Sequence, residues 1–257
     1  TSAVAYPLLT AGAANLIDSF ANDELKETYL EPMYSGKWQG TMALTEPQAG
    51  SALGDITTSA TPQDDGSYKI KGQKIYISGG DHDGCDNVVH LMLAKIDGAP
   101  AGTKGISLFV VPKYRPENGE LKNNDVTTAG KYGKLGIKAC PIAHLMMGEN
   151  DDCRGWLVGE PNMGLKYMFQ MMNEARLGVG MISTGVSSGA YYASLQYANE
   201  RTQGRPLSDP DPTKPPVLII EHADVKRLLL FQKAVTEGST ALLMQCSLYA
   251  DLIEVTE

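Results

Sequence analysis

Met42-Ala-Leu-Thr-Glu-Pro-Gln-Ala-Gly-Ser51 stands where a helical leader gives way to a long run of strands. Pro47 and Gly50 fix the backbone on either side of Gln48-Ala49, and the hydroxyls of Thr45 and Ser51 can donate to a ligand lying on that backbone. The stretch reads as a ligand-holding loop. Its partner lies downstream at Gly72-Gln-Lys-Ile-Tyr-Ile-Ser-Gly-Gly80, where Ile75 and Ile77 alternate with Tyr76 and Ser78. That alternation puts an aromatic ring and a hydroxyl on one strand face. Taken singly, the first piece is a turn and the second a cross-strand packing partner; together they are suited to gripping a flat heterocycle from one side.

Upstream, between residues 15 and 34, apolar side chains recur at Leu16, Ile17, Phe20, Leu25, Tyr29 and Leu30, with Asn22-Asp-Glu at a capping position. This predicts two short helices, ended by Pro32 and Gly36. Downstream, the loop is delivered by a strand over 38–44 and followed by predicted strands at 57–60, 67–70, 73–78, 87–95, 105–112, 125–129, 143–147 and 156–157. So many strands with no helix between them predict an antiparallel barrel or sandwich. After Pro161-Asn-Met-Gly164 the spacing turns helical through Leu165, Met168, Phe169, Met172, Leu177, Met181 and Thr184. Gly178, Gly180, Gly185 and Gly189 interrupt that pattern and call for a close packing neighbour. Helix breaks at a Pro-rich link, 208–216, and resumes from Glu221. The fold class is α+β and multidomain: helices in 1–38, a central antiparallel β-barrel or sandwich in 39–160, and part of a helical bundle in 161–257.

The bulk properties narrow the function. A chain of 257 residues with net charge -8 carries no basic footprint for nucleic acid or an anionic membrane. No apolar run approaches the roughly 20 residues of a spanning helix. Cys85, Cys140, Cys153 and Cys246 are too scattered for a disulfide scaffold and fit a reducing cytoplasm. Cys140, His144 and Cys153 lack a CxxC pair, and the acidic clusters at 81–86 and 149–152 lack the spacing of a calcium loop, so no metal site is expected. The Met-rich run at 163–172 reads as core or as the lining of an adaptable apolar pocket. The chain starts without Met and stops at Glu257 inside a helical pattern, which reads as a piece of something longer.

In order, TEPQAGS, GQKIYISGG, Gly155-Trp-Leu-Val-Gly-Glu-Pro-Asn-Met-Gly-Leu165 and Asn173-Glu-Ala-Arg176 resemble the acyl-CoA dehydrogenase family. The stretch Met171-Met-Asn-Glu-Ala-Arg-Leu-Gly-Val-Gly180 is most similar to the 3-methylmercaptopropionyl-CoA dehydrogenase-like branch. The resemblance implies an FAD enzyme that oxidises an acyl-CoA thioester to the 2,3-enoyl form by α-proton abstraction and β-hydride transfer to flavin N5. It implies flavin contacts from Met42, Leu44, Thr45, Gly50, Ser51, Tyr76, Ile77 and Ser78, with Arg201 on the diphosphate of a neighbouring subunit and His222 near the flavin. Ser51, Asn173 and Arg176 would face the acyl-CoA. It further implies an electron-transfer flavoprotein as acceptor and a homo-oligomer, dimer or tetramer. Tyr76 and Ser78 depart from the usual tryptophan and threonine but keep the aromatic face and the hydroxyl, and Gln48 stands where glycine is common. For Arg176 and Arg201 the plain alternative is pairing with Glu174 and Glu200; for His222 it is a place in the first turn of a helix. Relatives carry the base at the position of Ala175 or in a later helical segment; Glu174 is about 100° away around a helix. No catalytic residue is therefore expected in this chain, which alone would be inactive, with its base beyond Glu257. The alternatives are an acyl-CoA oxidase and a non-catalytic β-barrel binding module.

Overall fold

The structure, a computed structural model, describes residues 4–256. These fall into two compact units divided between Ala175 and Arg176, inside one long helix.

The first unit opens with α1 (Ala5–Phe20) and α2 (Asp23–Tyr34). Asn22 caps α2, its side chain accepting from Leu25 N at 3.0 Å, and Asp23 and Glu24 sit in the first turn where the helix dipole favours them. Two expectations are corrected here. The first helix begins at Ala5, ten residues before the predicted start, and Pro32 lies inside α2 rather than ending it. Pro32 removes one backbone donor, but only two helical residues follow it and the helix runs on to Tyr34.

Ten strands follow: β1 (Trp38–Ala43), β2 (Ser59–Pro62), β3 (Tyr68–Ser78), β4 (Asn87–Ile96), β5 (Ile106–Pro112), β6 (Tyr114–Glu117), β7 (Glu120–Asn123), β8 (Val126–Lys131), β9 (Ile142–Met147) and β10 (Arg154–Leu157). The ladders β2–β4, β4–β5, β5–β10, β10–β3 and β3–β2 close a five-stranded barrel. β1 is added outside β4, and β9 with β8 outside β3. Most pairs are antiparallel as expected, but β1–β4 and β2–β4 run parallel. The two strands predicted at 67–70 and 73–78 are one, β3.

β4 and β5 are apolar on both faces because each faces a different core. Val89, Leu91, Leu93, Ile106, Leu108 and Val110 pack outward with Leu16, Ile17, Tyr29, Met33 and Met168. Met92, Ala94, Phe109 and Val111 point into the barrel with Ile70, Ile77, Leu145 and Cys153. α1 can press on β1 because residue 40 is glycine: a Cβ there would sit 2.5 Å from Ala13 Cβ and 2.8 Å from Met33 Cε.

The second unit holds the remainder of α3 (Gly164–Glu200) and α4 (Ala223–Thr256). α3 continues unbroken through its glycines. Gly180 has the neighbour the sequence calls for, with Leu243 Cδ2 3.1 Å from where its Cβ would be, whereas Gly185 and Gly189 face open space. No described helix is long and apolar enough to cross a membrane.

Candidate functional site

β1 ends at Ala43, and the 44–51 loop turns off it toward β3. Glu46 and Ala49 close the turn through reciprocal backbone bonds of 2.9 and 3.0 Å around Pro47-Gln48. The loop is tied to β3 at successive residues, Ile75 N donating to Thr45 O at 2.9 Å and Lys74 Nζ to Leu44 O at 2.9 Å. The two motifs that open the sequence reading, some thirty residues apart, are thus bonded neighbours.

An ion pair that the sequence reading did not anticipate holds the junction. Lys74 Nζ donates to Glu46 Oε1 at 2.9 Å, and both side chains are 0% exposed. The carboxylate is saturated with donors. Oε1 also accepts from Thr58 N and Thr58 Oγ1; Oε2 accepts from Thr57 N, Thr57 Oγ1 and Gln48 Nε2. Burial alone would push the Glu46 carboxyl up, but the Lys74 charge and the bonds from Lys74, Thr58 and Thr57 hold it down at about 2. Burial lowers Lys74 to about 8 against the opposing pull of Glu46, so at neutral pH both groups are charged.

The carbonyls of Leu44 and Thr45 are committed to β3, and Glu46 and Ala49 bond each other. The N–H groups of Thr45, Gly50 and Ser51 and the hydroxyls of Thr45 and Ser51 have no partner among the described residues. Leu44 is buried and Met42 half-buried. Tyr76, next to the bonded Ile75, is 58% exposed and lies against Tyr132 with ring centroids 4.5 Å apart. The regular alternation expected for β3 is corrected here, since a bulge falls between Lys74 and Ile77 and Tyr76 has φ +61°. A bulge re-aims one side chain, so Tyr76 leaves the face that Ser78 would share with it in an ideal strand. Ile77 points into the barrel core and Ser78 pairs with Ile142.

In the second unit, a short antiparallel contact brings two further named residues to one corner. Ile219 N donates to Arg201 O at 2.9 Å, Gln203 N to Val217 O at 2.9 Å, and His222 Nε2 to Gln203 O at 2.7 Å. The Arg201 guanidinium is exposed and pairs with no described residue; Glu200 instead accepts from Gln196. His222 precedes α4 rather than occupying its first turn. Asn173 and Arg176 are exposed on α3, on either side of the boundary between the units. Glu174 accepts from Asn15 Nδ2 of α1 at 3.4 Å.

A cavity of about 670 Å³ lies at the other end of β1 from the loop, lined by Tyr6, Thr10, Trp38, Gln39, His82 and Cys85 among others. It therefore does not coincide with the Thr45–Tyr76 ledge. His90, fully buried on β4, is the other polar group the sequence reading passed over. Its Nδ1 lies 2.7 Å from Thr41 Oγ1, its Nε2 has no partner among the described residues, and burial pushes its pKa down to about 4.

Residues 41–149 match the family described as acyl-CoA dehydrogenase, middle domain. A butyryl-CoA dehydrogenase of Syntrophomonas wolfei is 46% identical over 98% of this chain and 42% of its own length. A 3-methylmercaptopropionyl-CoA dehydrogenase of Ruegeria pomeroyi is 45% identical over 96% of this chain and 42% of its own. Among solved structures, butyryl-CoA dehydrogenase from Megasphaera elsdenii superposes with a TM-score of 0.73 at 25% identity, covering 93% of this chain and 56% of that one. The chain thus spans about two fifths of the length of these curated relatives. Residues 41–149 thus belong to the acyl-CoA dehydrogenase middle-domain family, and by sequence and fold nearly the whole chain is similar to part of an acyl-CoA dehydrogenase.

Proposed function

We propose that this chain supplies the FAD-holding surface of an acyl-CoA dehydrogenase that converts an acyl-CoA thioester to its 2,3-enoyl form. One observation carries the reading: the 44–51 loop is bonded to β3 next to the exposed Tyr76, and the donors at Thr45, Gly50 and Ser51 have no partner among the described residues. That donor set fits a planar heterocycle with acceptor atoms along its edge. FAD, when bound, supplies the hydride acceptor.

The chain's own residues then have distinct tasks. Thr45 and the Gly50–Ser51 amides orient the ring edge, Met42 and Leu44 give it an apolar floor that excludes water, and Tyr76 and Ser78 cover it from β3, with Ile77, whose side chain lies in the barrel core, offering only its backbone. Arg201, with its guanidinium unpaired, is suited to a diphosphate, which its planar fork matches, and the neighbouring His222 is fixed by Gln203. Ser51, Asn173 and Arg176 are proposed to face acyl-CoA. The α-proton needs a carboxylate base, and neither Ala175 nor Glu174, which is engaged with Asn15, is assigned that role. An electron-transfer flavoprotein as acceptor and a homo-oligomeric assembly belong to the same proposal, as does the division of the chain at residues 38 and 160.

FAD titration followed by quenching of protein fluorescence tests this. Thr45→Val is expected to weaken binding by about tenfold, the loss of one or two hydrogen bonds, with no change in unfolding midpoint. Equal affinity for FAD in Thr45→Val and Tyr76→Ala would overturn the reading, and turnover of acyl-CoA abolished by Glu174→Gln would overturn the assignment of the base.

A further inference from the structure

We infer that Lys74 is a positioning residue that aims the Thr45 N–H at the ligand; its functional consequence rests on the flavin reading above. Lys74 Nζ holds Leu44 O at 2.9 Å, and the carbonyl of Leu44 and the N–H of Thr45 belong to the same peptide unit. A trans peptide is planar, with C=O and N–H pointing in opposite directions. An ammonium that fixes Leu44 O on the β3 side therefore fixes the Thr45 N–H on the opposite side, where no described residue accepts it.

The next peptide is fixed by the same rule but spent internally. Ile75 N holds Thr45 O at 2.9 Å, and the Glu46 N–H that this orients donates to Ala49 O at 2.9 Å. Lys74 thus sets the one donor of this pair that is left for a ligand. Glu46 serves the arrangement in turn by holding Lys74 at the loop: the two side chains are 0% exposed, and a buried ammonium needs a partner to stay charged. A lysine that merely neutralised Glu46 would not need its second bond to Leu44 O.

The double variant Glu46→Gln/Lys74→Met separates the two roles, because it removes both charges and leaves no buried ion unpaired, whereas Lys74→Met alone risks unfolding. The full 257-residue chain is used, with two readouts. Amide hydrogen exchange at Glu46, Ala49 and Ile75 needs no ligand; FAD affinity does. The double variant is expected to keep the unfolding midpoint close to that of the parent chain. The three amides should exchange about tenfold faster or more, as expected when a local tether is cut, and FAD should bind about tenfold more weakly. Unchanged exchange in the double variant overturns the inference. So does faster exchange with unchanged FAD affinity, since Thr45 would then not be presented to the ligand. A parent chain that is folded but does not bind FAD sinks the flavin reading by itself, and exchange still decides whether Lys74 orders the loop.

Discussion

Removing the Lys74 ammonium alone should cost more stability than any surface change. In Lys74→Met the methionine fills much of the same volume, so packing is largely kept, but Glu46 is left as a buried carboxylate without a counter-ion. Breaking such a pair costs about 3–5 kcal/mol. Five donors from Gln48, Thr57 and Thr58 remain on the carboxylate, which places the loss at the lower end, about 3 kcal/mol. Urea unfolding followed by tryptophan fluorescence is the assay, since Trp38 and Trp156 both lie in the first unit and report on it alone. At a slope of about 2 kcal/mol per molar urea, the midpoint should fall by about 1.5 M at neutral pH. The deficit should shrink on acidification, because without Lys74 burial raises the Glu46 pKa and a protonated carboxyl removes the unpaired charge. A loss below about 1 kcal/mol, or one that does not change with pH, would refute the claim that the pair is buried and mutually dependent.

Three further outcomes follow from the same structure. In the parent chain, Glu46 falls from an ordinary 4.5 to about 2 on folding, so its contribution is full above about pH 4.5 and lost toward pH 2, worth about 3 kcal/mol; Glu46→Gln should flatten that acid limb. His90, at about 4 when folded against 6.5 unfolded, takes up its proton more readily in the unfolded chain. Stability should therefore decline as pH falls from about 6.5 to 4, by up to about 3 kcal/mol, and His90→Gln should remove that slope in the same urea assay. Gly40→Ala should destabilise the first unit by about 1–3 kcal/mol because its Cβ meets Ala13 and Met33, while Gly130→Ala, with open space around it, should stay within about 0.5 kcal/mol.

The parts of the fold visible in the sequence were those set by local rules. Short segments bounded by turn residues located most barrel strands, and Asn22 announced the start of α2. The β6–β7 hairpin escaped because Tyr114-Arg-Pro-Glu117 and Glu120-Leu-Lys-Asn123 bury no apolar stripe, although Asn118-Gly119 between them, both at positive φ, is a strong hairpin signal. Parallel pairing of β1 and β2 with β4 was not legible, since it follows from barrel closure rather than from any local pattern. At the candidate site, the loop and its partner strand could be named from their residue types, but what joins them could not. A lysine in a strand reads as solvated, and the counter-signal is parity: Lys74 shares its strand face with the buried Ile70. The bulge at Tyr76 was equally hidden, because nothing in Lys-Ile-Tyr-Ile demands a positive φ.

Mapping amide chemical shifts while FAD is titrated into the purified chain tests the central claim most directly. The account predicts saturable shifts at Thr45, Gly50, Ser51 and the 76–78 segment. Shifts confined to the cavity at the other end of β1, or none at saturating FAD in a folded chain, would contradict it.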